Sequence, residues 1–403
     1  MPQDVTRNLG PSKSQSVTYE AIGQAEDLSD ILYNIDPAST PILSHMAEGK
    51  EVTATDTSWM AKHLEPPGVN AHLEVEEYKY GHVGSVEGMH NFVQHFQNTG
   101  MISDTQRKVK KTYKVPGGDA LSEAMTDAFT KQAKDIEYAL INNDVANAEN
   151  GTNPAKMGGI PYFMKLNSLD VTVSATDGTF TTAEDNNLRT GDFIYITADK
   201  TPAGMKSGVP YYVRVDDASP KTKFTLYNRM KDAVETGVGA ALQVKPTDAG
   251  SGVKIVNTNV KSLGNASTWK LTDLDDVMAM AASRGGKPTD AWMSMENKRL
   301  FSQNVTALST TYRVPKDRYG SGVADTYETD GGVITAHSHL MWDPTRIDIL
   351  DNDYWEIRYF EKTHEVKNLP KTGTYDKYVI ESALTLQGSQ PKASAAIIDI
   401  KRA

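Results

Sequence analysis

Residues 117–144 read GGDALSEAMTDAFTKQAKDIEYALINND, and the spacing of their apolar side chains sets the frame for the rest of the chain. Leu121, Met125, Ala128, Phe129, Ala133, Ile136, Ala139 and Leu140 recur every three or four residues, the spacing of one helical face. Gly117 and Gly118 precede the run, Asp119 is a good N-cap, and Glu123 lies in the first turn, where the helix dipole favours an acid. Asn142 and Asn143, weak helix formers, mark the end. At 1.5 Å per residue such a helix spans roughly 36 Å, long enough to act as a spine. Ser122, Thr126, Lys131, Lys134 and Glu137 fall on the opposite face, which is expected to be solvated or turned toward another subunit.

Upstream, residues 1 to about 25 are polar and contain Gly10, Pro11 and several serines, the composition of an extended arm. DLSDILYNIDPASTPILSHM, residues 27–46, opens a short helix at Asp27 or Ser29 and stops it near Asp36–Pro37, because a proline ring disfavours helix in the residue before it. From Glu51 to Glu65, alternation around Val52, Thr55, Trp59 and Ala61 predicts a strand that Pro66-Pro67-Gly68 ends. Residues 69–111 mix short alternating runs with glycines, the pattern of a long two-stranded excursion. A hairpin of that length buries no core alone, so a neighbour in this chain or another has to cover it.

Downstream, residues 167–258 change character. Alternating runs at Asp192–Thr197, Val209–Val215 and Lys223–Tyr227, divided by Gly, Pro, Asn and Asp turns, read as a small all-β module. The chain returns through VKIVNTNV, residues 253–260. A helix is predicted at Asp273–Gly286, capped by Thr272 and closed by Gly285-Gly286, followed by a strand at Ala291–Ser294 and a helix at Glu296–Gln303. The last hundred residues are strand-rich: GGVITAHSHLMW, RIDILD, YWEIRYFE, KYVIESALTLQ and ASAAIIDI.

Composition removes several function classes. Cysteine is absent, which excludes disulfides, thiolate nucleophiles and thiolate–metal centres. With 42 Lys and Arg against 52 Asp and Glu, the net charge of -10 repels nucleic acid on average. No basic-then-apolar leader opens the chain and no window approaches the length of a membrane span, so neither secretion by such a signal nor a membrane partner is expected.

The one stretch that invites a metal is AHSHLMWDPT, residues 336–345. In an extended chain His337 and His339 share a face, as zinc and non-haem iron sites allow. Asp343 would join them only if the strand ran on through Trp342, and Pro344 stops it. Both histidines are therefore expected in a buried β-strand with no metal between them. His63, His72, His82, His90 and His95 show no ligand spacing, and Glu74, Glu76 and Glu77 read as a solvated face. Arg107, Lys108, Lys110, Lys111 and Lys114 form the densest basic run; they lack the aromatics of a single-strand platform and the glycines of a phosphate loop. Pairing with acidic surface, in this chain or a neighbour, is the expected role. No nucleophile elbow and no dinucleotide fingerprint appears, so no catalytic residue and no cofactor is assigned.

The order of these features resembles the major capsid (major head) proteins of tailed bacteriophages. The resemblance is carried by residues 27–46, by NFVQHFQNTGMISDTQRKV (91–109), by the helix at 119–143 and by the C-terminal run 331–387, and covers roughly residues 20–165 and 260–400. It implies an α+β, Hong-Kong-97-like capsid fold: an N-terminal arm (1–50), an extended E-loop hairpin (51–112), a spine helix with the start of a peripheral domain (113–166), an inserted barrel- or sandwich-like β domain (167–258), and an axial domain with the rest of the peripheral domain (259–403). It implies a virion protein that is assembled in the host cytoplasm. Pentamers and hexamers would form an icosahedral shell around double-stranded DNA held by weak non-specific contact, with scaffold, portal and decoration proteins as further partners. Arg107, Lys108, Lys110 and Lys111, with Glu74, Glu76 and Glu77, are the candidate intersubunit contacts. Some relatives carry a long charged scaffold region where only about 25 polar residues stand here, so a separate scaffold or prior cleavage is implied. The lysine and asparagine that cross-link in others have no match, which predicts non-covalent assembly. The alternatives are a phage tail or baseplate protein and, further off, a metal-dependent enzyme on the C-terminal sheet.

Overall fold

The computed structural model describes residues 39–62, 86–109, 119–165, 168–183, 188–216, 222–235, 242–256, 258–265, 267–308, 325–371 and 373–402, together with Pro67, Ala71, Glu74, Glu77 and Asn186. The helix expected at 27–36 lies outside them.

Ala120–Asn142 forms the long helix, flanked by Asp119 and Asn143. Its burial follows the predicted stripe only in part. Ala128, Ile136, Ala139 and Leu140 are buried, but Phe129 is 38% exposed, and Glu137, expected on the solvated face, is wholly buried together with Gln132. The reason is that the C-terminal half is covered from two sides. A four-stranded sheet lies against one side and the short helix Pro41–His45 crosses the other, so the stripe there widens to include Glu137.

That sheet runs in the order Ala47–Glu48, Trp355–Glu365, Tyr375–Gly388, Gln94–Ser103, with the first pair parallel and the others antiparallel. The position of Gln94–Ser103 corrects the two-stranded excursion expected over 69–111. Phe96, Asn98 and Ile102 alternate into the protein, which fixes this strand against Tyr375–Gly388, with Gln94 opposite Leu384 and Ser103 opposite Tyr375. The hairpin proper is Asp56–Lys62 paired with Val86–Phe92.

A mixed six-stranded sheet has the order Asn259–Ser262, Ala395–Ile398, Ile347–Leu350, Asp290–Met293, Gly332–Ser338, Thr326–Thr329. Its central strands Ile347–Leu350 and Asp290–Met293 are buried at every position, as expected where both faces are covered. The helices Leu271–Ser283 and Met295–Leu308 pack on it. The first begins two residues earlier than predicted: Asp273 accepts the backbone N–H of Lys270 (2.8 Å), so Lys270 is the N-cap and not Thr272. Among the described residues no helix is long and apolar enough to cross a membrane.

Six short strands close a barrel in the order Lys254–Val256, Ser168–Val173, Thr179–Thr182, Lys223–Tyr227, Tyr211–Val215, Phe193–Thr197, and the last pairs back to the first. Val171, Phe180, Ile194, Ile196, Val213, Phe224, Leu226 and Ile255 fill it. The chain enters at Ser168 and leaves at Val256, which are direct partners on adjacent strands. Arg284 fastens the barrel to the rest: its guanidinium lies 4.5 Å from the Phe193 ring centre and donates to the Phe193 carbonyl (3.2 Å).

Candidate assembly site

Glu137 is the node at which three separated parts of the chain meet. Its side chain is fully buried, and its carboxylate accepts three hydrogen bonds: Ile42 N–H to Oε1 (2.8 Å), Leu43 N–H to Oε2 (2.7 Å) and His339 Nε2–H to Oε1 (2.9 Å). His339 can serve as that donor because its Nδ1 accepts the Met341 N–H (3.0 Å), which fixes the proton on Nε2. A buried carboxylate is tolerable only with such a set of donors. The result ties Pro41–His45 to the long helix and to the end of Gly332–Ser338.

A second node sits around Asp290. His337 Nε2 lies 2.7 Å from Oδ1, while Thr289 Oγ and Asn352 Nδ2 each donate to Oδ2 (2.6 Å). Burial alone would raise the Asp290 pKa; the hydrogen bonds from Thr289 and His337 and the nearby His45 outweigh it and leave it below the usual carboxylate range. His337 also stacks on Trp292, with ring centres 4.6 Å apart.

The two histidines of AHSHLMWDPT thus face different carboxylates. His337 lies in the strand, but the strand ends at Ser338, so His339, expected within it, lies just beyond. There its backbone N–H still reaches the Met293 carbonyl (2.8 Å) while its side chain turns to the long helix. Among the described residues no cluster of three or more His, Asp and Glu is arranged to hold a metal.

Of the basic run, Arg107 and Lys108 stand on the short helix Asp104–Lys108, and both are exposed. Arg107 binds Asp119 (2.6 Å) and Asp376 of its own chain, and Lys371 binds Asp104 (2.9 Å) and Asp376 (3.2 Å). Asp376 is held below the usual carboxylate range by Lys371 and then Arg107, and Asp119 by Arg107. Glu74 and Glu77 are exposed; Lys110, Lys111 and Glu76 lie outside the described residues.

Among the described residues the hairpin is clamped at its root and open at its outer edge. Asn91, fully buried, donates to the carbonyls of Gly158 (3.0 Å) and Leu386 (2.7 Å) and accepts the Gly158 N–H (2.8 Å), and Trp59 Nε1 donates to the Gly388 carbonyl (3.2 Å). Among the described residues the strand Asp56–Lys62 pairs on one side only, and Met60 on it is 82% exposed. Among the same residues Gln94–Ser103 and Thr326–Thr329 also end their sheets. Unpaired strand edges bearing apolar side chains are templates for a second chain. The chemistry these surfaces offer is association.

The spacing of the sequence missed Glu137, Gln132, Asn98 and Asn91. Each is a polar residue next to an apolar stripe, and only the element packed over it makes it a buried anchor. Gln132, for example, donates to the Phe96 carbonyl (3.0 Å) and to Ser382 Oγ (2.7 Å), two strands distant in sequence.

The model of one protein family, described as SU10 major capsid protein, matches residues 12–401. The chain belongs to that family. Among solved structures it is similar to the capsid asymmetric unit of cyanophage A-1(L), at 13% identity and a TM-score of 0.55, over 94% of this chain and 97% of that one. It is also similar to the capsid of a native GTA particle, at 9% identity and a TM-score of 0.50, over 96% and 99% of the two chains. At these identities the likeness is one of fold. No curated protein matches the chain. As a major capsid protein it is a structural subunit, many copies of which build a shell, and its place is the virion head.

Proposed function

We propose that this major capsid protein closes, through pentamers and hexamers, into the icosahedral head of a tailed phage around double-stranded DNA. The observation that carries this reading is the hairpin Asp56–Lys62/Val86–Phe92, whose root is held by Asn91 and Trp59 while, among the described residues, its outer strand has no second partner and Met60 is exposed. In the terms of the Hong-Kong-97-like fold, residues 1–50 are the arm, 51–112 the E-loop, 113–166 the spine helix with the start of the peripheral domain, and 259–403 the axial domain with the rest of the peripheral one. Residues 167–258 are an inserted β domain, and the pairing of Ser168 with Val256 supports this, since an insertion needs its two ends close together. The net charge of -10 suits a shell that contains DNA without gripping it. A separate scaffold, a portal and decoration proteins are the further partners of such a head.

Arg107, Lys108, Lys110 and Lys111 on one subunit and Glu74, Glu76 and Glu77 on the next are the proposed charged contacts. Lys108, Glu74 and Glu77 are exposed, as that role requires, whereas Arg107 is already engaged by Asp119 and Asp376. Sedimentation of the purified protein tests both claims. Met60→Asp, and separately Lys110→Glu with Lys111→Glu, should abolish fast-sedimenting shells while leaving the circular dichroism unchanged. Shells that survive Met60→Asp contradict the hairpin's role, and shells that survive the charge reversal remove the basic run from the interface.

A further inference from the structure

The loop that follows the long helix carries Asn150-Gly151, an asparagine–glycine pair that occurs nowhere else in the sequence. The loop is fastened at its ends and open at its tip. Asn147 and Lys156 exchange two backbone hydrogen bonds (both 3.0 Å), and residues 147–154 are all exposed. At the tip Asn150 closes a turn: its N–H donates to the Asn153 carbonyl (3.3 Å), and its side-chain Oδ1 accepts the N–H groups of Thr152 (3.1 Å) and Asn153 (2.7 Å).

That arrangement suits an intramolecular displacement. The main-chain nitrogen after an asparagine can reach the side-chain Cγ by closing a small ring, and a side chain on the residue that bears this nitrogen hinders the approach. Gly151 has none, and it sits at φ +76°, which glycine adopts without strain. Among the described residues its N–H has no acceptor that would hold it away. As the nitrogen attacks, negative charge develops on Oδ1, where the Thr152 and Asn153 N–H groups already donate, as in an oxyanion hole. The other asparagines nearby are placed worse. Asn143 is buried with its Nδ2 bound to the Met157 carbonyl (2.8 Å), Asn147 precedes Ala148, and Asn153 precedes Pro154, whose nitrogen carries no proton to lose. We propose that Asn150 is a site of spontaneous modification: the Gly151 nitrogen bonds to Asn150 Cγ, the Cγ–Nδ2 bond breaks, and the Gly151 proton leaves with Nδ2 as ammonia. Water then opens the cyclic imide. Cleavage at Cγ yields aspartate, and cleavage at the main-chain carbonyl carbon yields isoaspartate, whose main chain runs through the former side chain. Each conversion adds one negative charge to a chain whose net charge is -10. The bridge between Asn147 and Lys156 confines the change to the tip, clear of Gly158, which holds Asn91 at the hairpin root.

Trypsin releases residues 135–156 as one peptide, in which Asn142, Asn143, Asn147, Asn150 and Asn153 compete. The purified full chain is incubated at mildly alkaline pH, and mass spectrometry against an unincubated sample reads the replacement of NH by O at each position. Asn150 should convert roughly tenfold faster than any of the other four, and chromatography should resolve isoaspartate beside aspartate. Equal conversion at the five positions would overturn the proposal, and aspartate without isoaspartate would mean direct hydrolysis of the amide and overturn it as well. The contribution of the turn is read against the same chain unfolded in guanidinium. Conversion in the folded chain should be at least as fast; conversion roughly tenfold slower would show that the turn protects Asn150. Gly151→Ala should slow conversion roughly tenfold, and because nothing lies within 4 Å of a Cβ there the circular dichroism should not change. Unchanged conversion in that variant would count against attack by the Gly151 nitrogen.

Discussion

At the scale of single residues, the fold is held by carboxylates that composition alone would place on the surface. Removing Glu137 leaves the N–H groups of Ile42 and Leu43 and the His339 ring without their acceptor in a dry site. Glu137→Ala is therefore expected to lower stability by about 3 kcal/mol or more. His339→Ala should cost less, because the carboxylate keeps its two backbone donors. Denaturant unfolding of the unassembled chain measures both, and an equal effect would contradict the node. Asp290 adds a pH dependence whose sign is fixed by its depressed pKa. Its stabilisation is complete above the unfolded value of about 3.9 and is lost as pH falls through the lower folded value. Asp290→Asn should flatten the acid limb of the stability curve below about pH 4 and leave the slope near neutrality unchanged. None of this was legible in sequence: Glu137 sits one step from Ile136 on a helix, and nothing local says that another segment will cross there.

At the scale of elements, periodicity was a reliable guide wherever one neighbour dictates burial. The long helix, the barrel strands Phe193–Thr197, Tyr211–Val215 and Lys223–Tyr227, and the C-terminal strands fall within a few residues of the predicted runs. The exception is Gln94–Ser103, whose alternation fits a hairpin and a sheet strand equally well. Its partner, Tyr375–Gly388, lies far along the chain, and pairing over that separation leaves no local mark. Close approach between elements is likewise invisible in a string of letters. Gly159 shows this: a Cβ there would lie 2.5 Å from the Leu140 carbonyl oxygen and 2.7 Å from that of Ala139, at the end of the long helix. Backbone cannot step aside as a side chain can, so Gly159→Ala should destabilise by about 1–3 kcal/mol. Gly88→Ala on the hairpin, where nothing lies within 4 Å, is the control and should be near neutral. Thermal melts of the two variants compare them directly, and equal melting temperatures would refute the packing argument.

At the scale of the whole molecule, the family became recognisable from the order of elements, with no single motif to mark it. The metal reading of AHSHLMWDPT gave way to architecture, since His337 and His339 fasten two different carboxylates. The barrel is the part most readily separable on topological grounds, because its entry and exit residues are strand partners. Replacing residues 169–255 by a two-residue turn should leave shell assembly intact, with some loss of stability where Arg284 loses the Phe193 and Tyr195 rings. Sedimentation of that variant as monomer alone would make the barrel part of the assembly machinery. The central claim is that copies of this chain build closed shells. Electron microscopy of the particles it forms, expressed alone and together with the scaffold of the same phage, tests it most directly: closed icosahedral shells, or pentameric and hexameric capsomers, in either preparation are the predicted result, and open tubes or dispersed monomers in both would contradict it.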